Sequence, residues 1–475
     1  METERLIIIF GIAVAYILVT TVVGMWSVKK TKDTESFMTA KNQMNVWIIG
    51  FLLMSEFIGS GATIGTAQGA YTKGMAVAWN CSTLAFGYLL YSWLLAPRMN
   101  KLGEYTISGA LAKHYGEKIK KIVSIAMTIA LTTVCVAVYT GGASAIAALL
   151  HIEISTAVYI IAVAATLNVA FGGLRGVGYA NIIHTAFKFL GLLILCMTAW
   201  SVAHNNPDIL AKIPSEQFSV FSPGVPASQI LAWLIGNIGA VFSTQYVLQC
   251  VCSLPNAKAA RKATLVAGIA IFPIGFMAAF VGVMSSGIFP GIPSVMAMPA
   301  YFDIMNPWLV GIVTASIIAS TFVSILACQL GATALMVKDF FIPIMNPSEK
   351  NKIWITRIVS VLIGLIPVPF ALGVPGMIKT FFFARALRSS ITVLLLFMIF
   401  APLMSSKKGG FVALVGSLIV TIAWMIMGNP FGIDNIYVAV VVPTVVILAD
   451  YAIRKMRGTE ENQEENQEKS QAENI

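Results

Sequence analysis

Glu56, Lys188, Arg385 and Arg388 fall deep inside long apolar stretches of this chain. A charge placed at such depth in lipid costs a few kcal/mol or more, so each is read first as a functional group. Arg385 and Arg388 are three residues apart and share one helix face. Two like charges so placed repel unless something anionic lies between or beside them. One of them holding a solute carboxylate in bidentate fashion would meet that need. The plainer alternative puts both on a short outer re-entrant stretch, with Phe381, Phe382, Phe383 and Ala384, where they reach water. Glu56 suits three roles: counter-ion to a base, proton carrier, or cation ligand. The structural alternative for Lys188 is snorkelling or pairing with Glu56. His184, one turn before Lys188, is placed on a cytoplasmic exit path.

Glu56 sits in an unusual context. The surrounding run is Ser55-Glu56-Phe57-Ile58-Gly59-Ser60-Gly61-Ala62-Thr63-Ile64-Gly65-Thr66-Ala67-Gln68-Gly69. Gly59 and Gly61 lower the cost of unwinding a helix at mid-span. A packing face of Gly61, Gly65 and Gly69 is the bland reading, but packing does not need Ser55, Glu56 and Ser60 at the same depth. A second weak point is Gly236-Asn237-Ile238-Gly239, followed by Ser243, Thr244 and Gln245. Two interrupted helices point to an inverted repeat with a binding site at the membrane midplane, where freed carbonyls face a cation or solute. Candidate solute contacts are therefore Gly59, Ser60, Gln68 and Gln245, together with Arg385 and Arg388.

The elements that carry these residues are membrane helices. Of 475 residues 57% are hydrophobic and 11% charged, far below the charge content of about 25% in a soluble domain. A spanning helix needs about 20 apolar residues. About thirteen stretches qualify: 5–26, 45–71, 75–97, 121–149, 155–172, 180–203, 228–252, 263–286, 308–336, 353–372, 378–404, 410–428 and 436–453. The first lacks a small-residue cleavage site and reads as a retained helix, not a signal peptide. With the N-terminus outside, the outward segments hold only Arg5, Lys73, Lys212 and Lys379. Most of the 31 Lys and Arg then lie inside, with the C-terminus cytoplasmic, as expected in a cell membrane. This distribution accounts for the net charge of +10 without nucleic acid. Residues 1–457 read as one transmembrane domain. The tail 458–475, rich in Glu, Asn and Gln, reads as disordered. The six cysteines have no zinc or redox spacing and read as small buried hydrophobes.

Ser36-Phe37-Met38-Thr39-Ala40 precedes the interrupted helix, which runs through Gly65-Thr66-Ala67-Gln68-Gly69-Ala70-Tyr71. In these runs the chain resembles the sodium:solute symporter family, nearest the choline-transporter-like branch. The likeness continues in Gly172-Gly173-Leu174-Arg175-Gly176-Val177 and Lys258-Ala259-Ala260-Arg261. The resemblance implies an all-α LeuT-type fold of five-plus-five inverted repeats (helices 2–6 and 7–11) with extra N- and C-terminal helices. It also implies alternating access and a sodium site between the second and ninth helices. The matching carbonyls are those of Ser55 and Ile58. The ninth helix usually supplies two adjacent hydroxyls; here the matching positions are Val323 and Ser324, or Ser324 and Ile325, so one is missing. Ser320-Thr321 is a hydroxyl pair about one turn too early. An acid usual in the sixth helix appears as Asn181. Lys188 lies seven residues further, about 10 Å deeper by helical rise, where its ammonium reaches the sodium position.

The expected function is import of a small polar or anionic organic solute by secondary active transport. Sodium is the coupling ion that the family implies. Proton coupling or uncoupled exchange is the alternative, with Lys188 in place of the ion. No continuous polar pore argues for a channel, no acid pair, metal cluster or nucleophile–base set argues for an enzyme, and no phosphate-binding loop argues for direct ATP use. No cofactor is expected. The expected partners are the solute, the coupling cation and membrane lipid.

Overall fold

In lipid, a segment must satisfy its own backbone N–H and C=O groups, and helices do so within one segment. The computed structural model describes residues 2–26, 31–150, 152–373 and 377–457, and among these there are helices and no strands. Every apolar stretch named above falls on a helix. Eight described helices are long and apolar enough to cross a membrane, or ten if each of two bent pairs is one span. That is fewer than the expected thirteen. Trp79–Leu94 is only 16 residues long. Ile154–His204 is one run of 51 residues that merges the fifth and sixth stretches. Its kink is at Gly173, with φ 56° and ψ −161°. A Cβ there would stand 2.8 Å from the Phe37 carbonyl oxygen, so glycine is required both for conformation and for space. The tail 458–475 lies outside the described residues.

Pro307–Met336 is the centre of the bundle. In its most apolar window 89% of residues are buried, whereas the first and last spans reach only 22%. It packs on Ile154–His204 and Glu117–Leu150, and small residues such as Gly142 let the helices approach closely: a Cβ there would overlap Thr321.

Two helices are broken. Val46–Phe57 and Ser60–Lys73 meet at 49°, and Ala227–Ser243 and Gln245–Cys252 at 47°. The first break is the expected one: Ile58 leaves helical conformation and Gly59 is extended. A Cβ on Gly59 would come within 2.8 Å of the Ser324 hydroxyl, so the break also lets the central helix approach. The second break falls at Thr244, not at Gly236 to Gly239. Those two glycines are helical and serve packing, with a Cβ on Gly239 meeting Ser389 Oγ at 2.4 Å and one on Gly236 meeting Ile436. Residues 381–384 run inside the continuous helix Met377–Phe400. The side chains of Phe381 to Phe383 lie outside the described residues.

Candidate functional site

The first break frees backbone carbonyls at the C-terminal end of Val46–Phe57, where the helix dipole is negative. Three of them have donors. Lys188 Nζ donates to the carbonyls of Ser55 at 2.9 Å and Ile58 at 3.0 Å. Ser324 Oγ donates to the Glu56 carbonyl at 2.9 Å. Lys188 is 3% exposed. It is carried by the deep part of Ile154–His204, whose kink at Gly173 brings this face against the break. Thr185, one turn before it, shares a hydrogen bond with Ser55 Oγ at 3.1 Å and accepts one from Asn181 Nδ2 at 3.1 Å. Ser316 Oγ reaches the Lys188 carbonyl at 3.4 Å. The ammonium is therefore held by the break, and the backbone that carries it by the central helix.

A cavity of about 620 Å³ lies on the other side of the break. Its buried lining, the floor, includes Glu56, Gly59, Ser324, Cys328 and Arg388, and its more exposed lining, the mouth, includes Lys73, Pro226, Gln229 and Asp434. Gln68 and Arg385 line it as well. Arg388 is 4% exposed and Glu56 6%. Arg385 Nη1 donates to Asn80 Oδ1 at 3.0 Å. Both arginines come from Met377–Phe400, and that helix is anchored by Ser243 Oγ donating to the Arg388 carbonyl at 2.7 Å.

The end opposite the mouth is sealed by backbone-directed amides. Gln245 donates to the Tyr105 carbonyl at 2.8 Å and accepts from the Ile107 N–H at 2.9 Å. Gln249 Nε2 donates to the Met38 carbonyl at 2.7 Å. Asn100 Nδ2 spans the Val251 and Leu254 carbonyls at 2.9 and 3.1 Å.

The structure thus brings Glu56, Gly59, Gln68, Arg385 and Arg388 to one cavity and Ser55, Ile58 and Lys188 to its flank. Ser60 is buried beside them, its hydroxyl without a partner. Gln245 does not join the cavity: both ends of its amide hold the inner seal. Ser320 Oγ bonds the Ser316 carbonyl of its own helix at 3.0 Å and stays off the break. His184 is fully buried and hydrogen-bonds Tyr16, so it lines no open path. Asn80, Asp434 and Thr185 were not singled out from the sequence. Thr185 carried a signal, since it shares a helix face with Asn181 and Lys188.

The model of the sodium:solute symporter family matches residues 37–419. The chain belongs to that family. An uncharacterized symporter of Bacillus subtilis, YwcA, is 23% identical over 397 residues, covering 79% of this chain and 77% of its own. The human high affinity choline transporter 1 is 22% identical over 395 residues, covering 77% and 67%. A sodium-coupled sialic acid symporter, solved in a substrate-bound outward-open state, superimposes with TM-score 0.83 at 16% identity, covering 94% of this chain and 97% of that one. The fold is accordingly LeuT-type, and this symporter is a membrane-embedded secondary active transporter, not an enzyme.

A sodium ion between the first break and Pro307–Met336 does not fit the residues found there. The Ser55 and Ile58 carbonyls already accept from an ammonium. Val323 offers a buried methyl surface where a hydroxyl ligand is wanted, and the hard cation prefers oxygen ligands.

Proposed function

We propose that this symporter imports a small polar or anionic organic solute across the cell membrane by alternating access, with the Lys188 ammonium standing where relatives hold sodium. The observation that carries the reading is the pair of hydrogen bonds from Lys188 Nζ to the Ser55 and Ile58 carbonyls. A cation at this point neutralises the negative helix end and clamps the broken helix to Ile154–His204. A bound ion leaves with the solute, but a tethered ammonium can release the carbonyls only by moving or by giving up its proton. Proton coupling or uncoupled exchange follows from that, and sodium coupling at this position does not.

The charge distribution supports an orientation with the N-terminus outside and the C-terminus in the cytoplasm. The cavity mouth then faces outward and the Gln245 seal inward, which is the state that receives solute. Stretches 45–203 and 228–404 contribute one broken helix each, in keeping with paired repeats that rock about the site.

The test is uptake into proteoliposomes of a mixture of small carboxylates and amino acids, read by mass spectrometry. The imposed gradient is sodium in one arm and protons in the other. Uptake indifferent to sodium and lost in Lys188→Met is the expected result. Sodium-driven uptake that persists in Lys188→Met would overturn the reading.

A further inference from the structure

An acid and a base on the cavity floor, Glu56 and Arg388, carry buried polar atoms that make no hydrogen bond. Glu56 Oε2 is buried and makes no hydrogen bond. Arg388 Nε and Nη2 are buried and make none. No hydrogen bond or ion pair joins the two side chains to each other, although they line the same cavity. Leaving one such charge unpaired out of water costs several kcal/mol, so an unpaired couple of opposite sign is an arrangement that a ligand or water must complete.

The two groups are held apart by their backbones. The Glu56 carbonyl is fixed by Ser324 at 2.9 Å, and the Arg388 carbonyl by Ser243 at 2.7 Å. They sit on different helices, Val46–Phe57 and Met377–Phe400, each anchored at that residue's own carbonyl. The result is an acceptor and a guanidinium lining one cavity from two anchored helices.

The second arginine does not tip the balance toward a simple anion. Arg385 is engaged by Asn80 at 3.0 Å, and an acid, Asp434, lines the same cavity. The lining therefore matches two bases, Arg385 and Arg388, with two acids, Asp434 and Glu56, and Glu56 and Arg388 are the buried ones. An anion alone would sit beside the Glu56 carboxylate, and a cation alone beside Arg388. An occupant carrying both charges meets each group with its complement. Phe57, Val134 and Val138 supply an apolar wall beside them. A volume of about 620 Å³ has room for a hydrocarbon side chain.

We propose that the solute is a small amino acid, bound as a zwitterion with its carboxylate on Arg388 and its ammonium on Glu56. This names the substrate class within the transport reading above and rests on it. The carboxylate takes the planar guanidinium in charge-assisted hydrogen bonds. The ammonium offers the N–H donors that Glu56 Oε2 lacks, which a quaternary nitrogen cannot do.

The experiment is thermal unfolding of the purified full-length protein with matched triplets. Each standard amino acid is compared with its decarboxylated amine and its deaminated acid, and glycine betaine is added as a zwitterion without N–H donors. All are measured in sodium chloride and in choline chloride. At least one amino acid is expected to raise the midpoint saturably, while its amine, its acid and betaine leave it unchanged at about a hundredfold higher concentration. Glu56→Gln and Arg388→Gln should each weaken that binding about tenfold or more, and Glu56→Asp and Arg388→Lys less. If the variants fail to fold, the wild-type triplets decide alone. The sodium response of the ligand-free protein is read in the same plates, so loss of the zwitterion assignment and loss of the Lys188 reading are separate results. The proposal is overturned if no amino acid stabilises the protein, if an acid protects as well as its amino acid, or if betaine does.

Discussion

Lys188 Nζ lies 2.9 Å from the carbonyl oxygen of Ser55, across the interface between the kinked helix and the end of the first half-helix. A backbone carbonyl at a helix C-terminus is a natural cation ligand, and here a covalently attached cation occupies it. The same ammonium reaches Ile58 at 3.0 Å, beyond the last helical residue. Sequence distance between these partners is large, so the contact reports the tertiary fold directly.

If Lys188 fills a cation position, emptying it and restoring the missing hydroxyl should let an ion in. Lys188→Ala combined with Val323→Ser frees both carbonyls and adds an oxygen ligand on Pro307–Met336. The double variant is expected to gain a saturable, sodium-specific rise in thermal midpoint that neither single change shows in full. At a hundredfold excess over Kd the stabilisation is about 2.7 kcal/mol. Measurement in sodium chloride against choline chloride checks it.

Gly59 and Ser324 should behave as a coupled pair. Gly59→Ala places a Cβ 2.8 Å from Ser324 Oγ and 3.3 Å from its Cβ, an overpacking that costs about 1–3 kcal/mol. Ser324→Ala leaves the Glu56 carbonyl without its donor, at a cost of about 1–3 kcal/mol. In the double variant the hydroxyl that clashes is gone, so the combined loss should fall below the sum of the two, as a double-mutant cycle of unfolding would read.

Gln245 belongs to the inner seal, and its removal should loosen that end rather than weaken solute binding. Cys250 and Cys252 are buried beside it, and Cys252 Sγ donates to the Glu104 carbonyl at 3.5 Å. In Gln245→Ala, alkylation of these cysteines by a membrane-permeant maleimide is expected to accelerate several-fold over wild type. Unchanged labelling would place the seal elsewhere.

Outside the membrane, Asp33 caps the short helix Thr34–Thr39, accepting from the Ser36 N–H at 2.7 Å and pairing with Lys41 at 2.7 Å. Partial burial pushes its carboxyl up, but the Lys41 and Ser36 donors outweigh this and bring it down to about 2. A depressed folded value means that the cap contributes fully above the unfolded value of about 3.9 and is lost as pH falls through about 2. Asp33→Ala should cost about 1 kcal/mol at neutral pH, as loss of an N-cap does, and the difference from wild type should vanish in strong acid. Unfolding midpoints across the acid range test the sign.

Much of this was legible before the structure. Apolar length placed the helices, because lipid leaves a backbone few other options. The first break was readable from Gly59 and Gly61 with polar neighbours, and Lys188 from its depth beyond Asn181. Other features carried conflicting signals. Gly236 and Gly239 read as a break, but small residues serve close packing equally well, and the chain bends at Thr244. Gln245 stood next to that bend and read as a solute contact, yet an amide can as readily hold a loop such as Tyr105 to Ile107. Asn80 and Asp434 lie near the ends of apolar stretches, where polar residues are ordinary, and only the fold brings them to the cavity that Arg385 lines.

The most direct test of the Lys188 assignment is thermal unfolding of the purified wild type and of Lys188→Met, in sodium chloride and in choline chloride, from mildly acidic to mildly alkaline pH. The account predicts no sodium-specific stabilisation of the wild type, together with a pH-dependent shift that disappears in Lys188→Met. A saturable sodium-specific rise in the wild type that survives unchanged in Lys188→Met would contradict it, and would return Lys188 to a purely structural role.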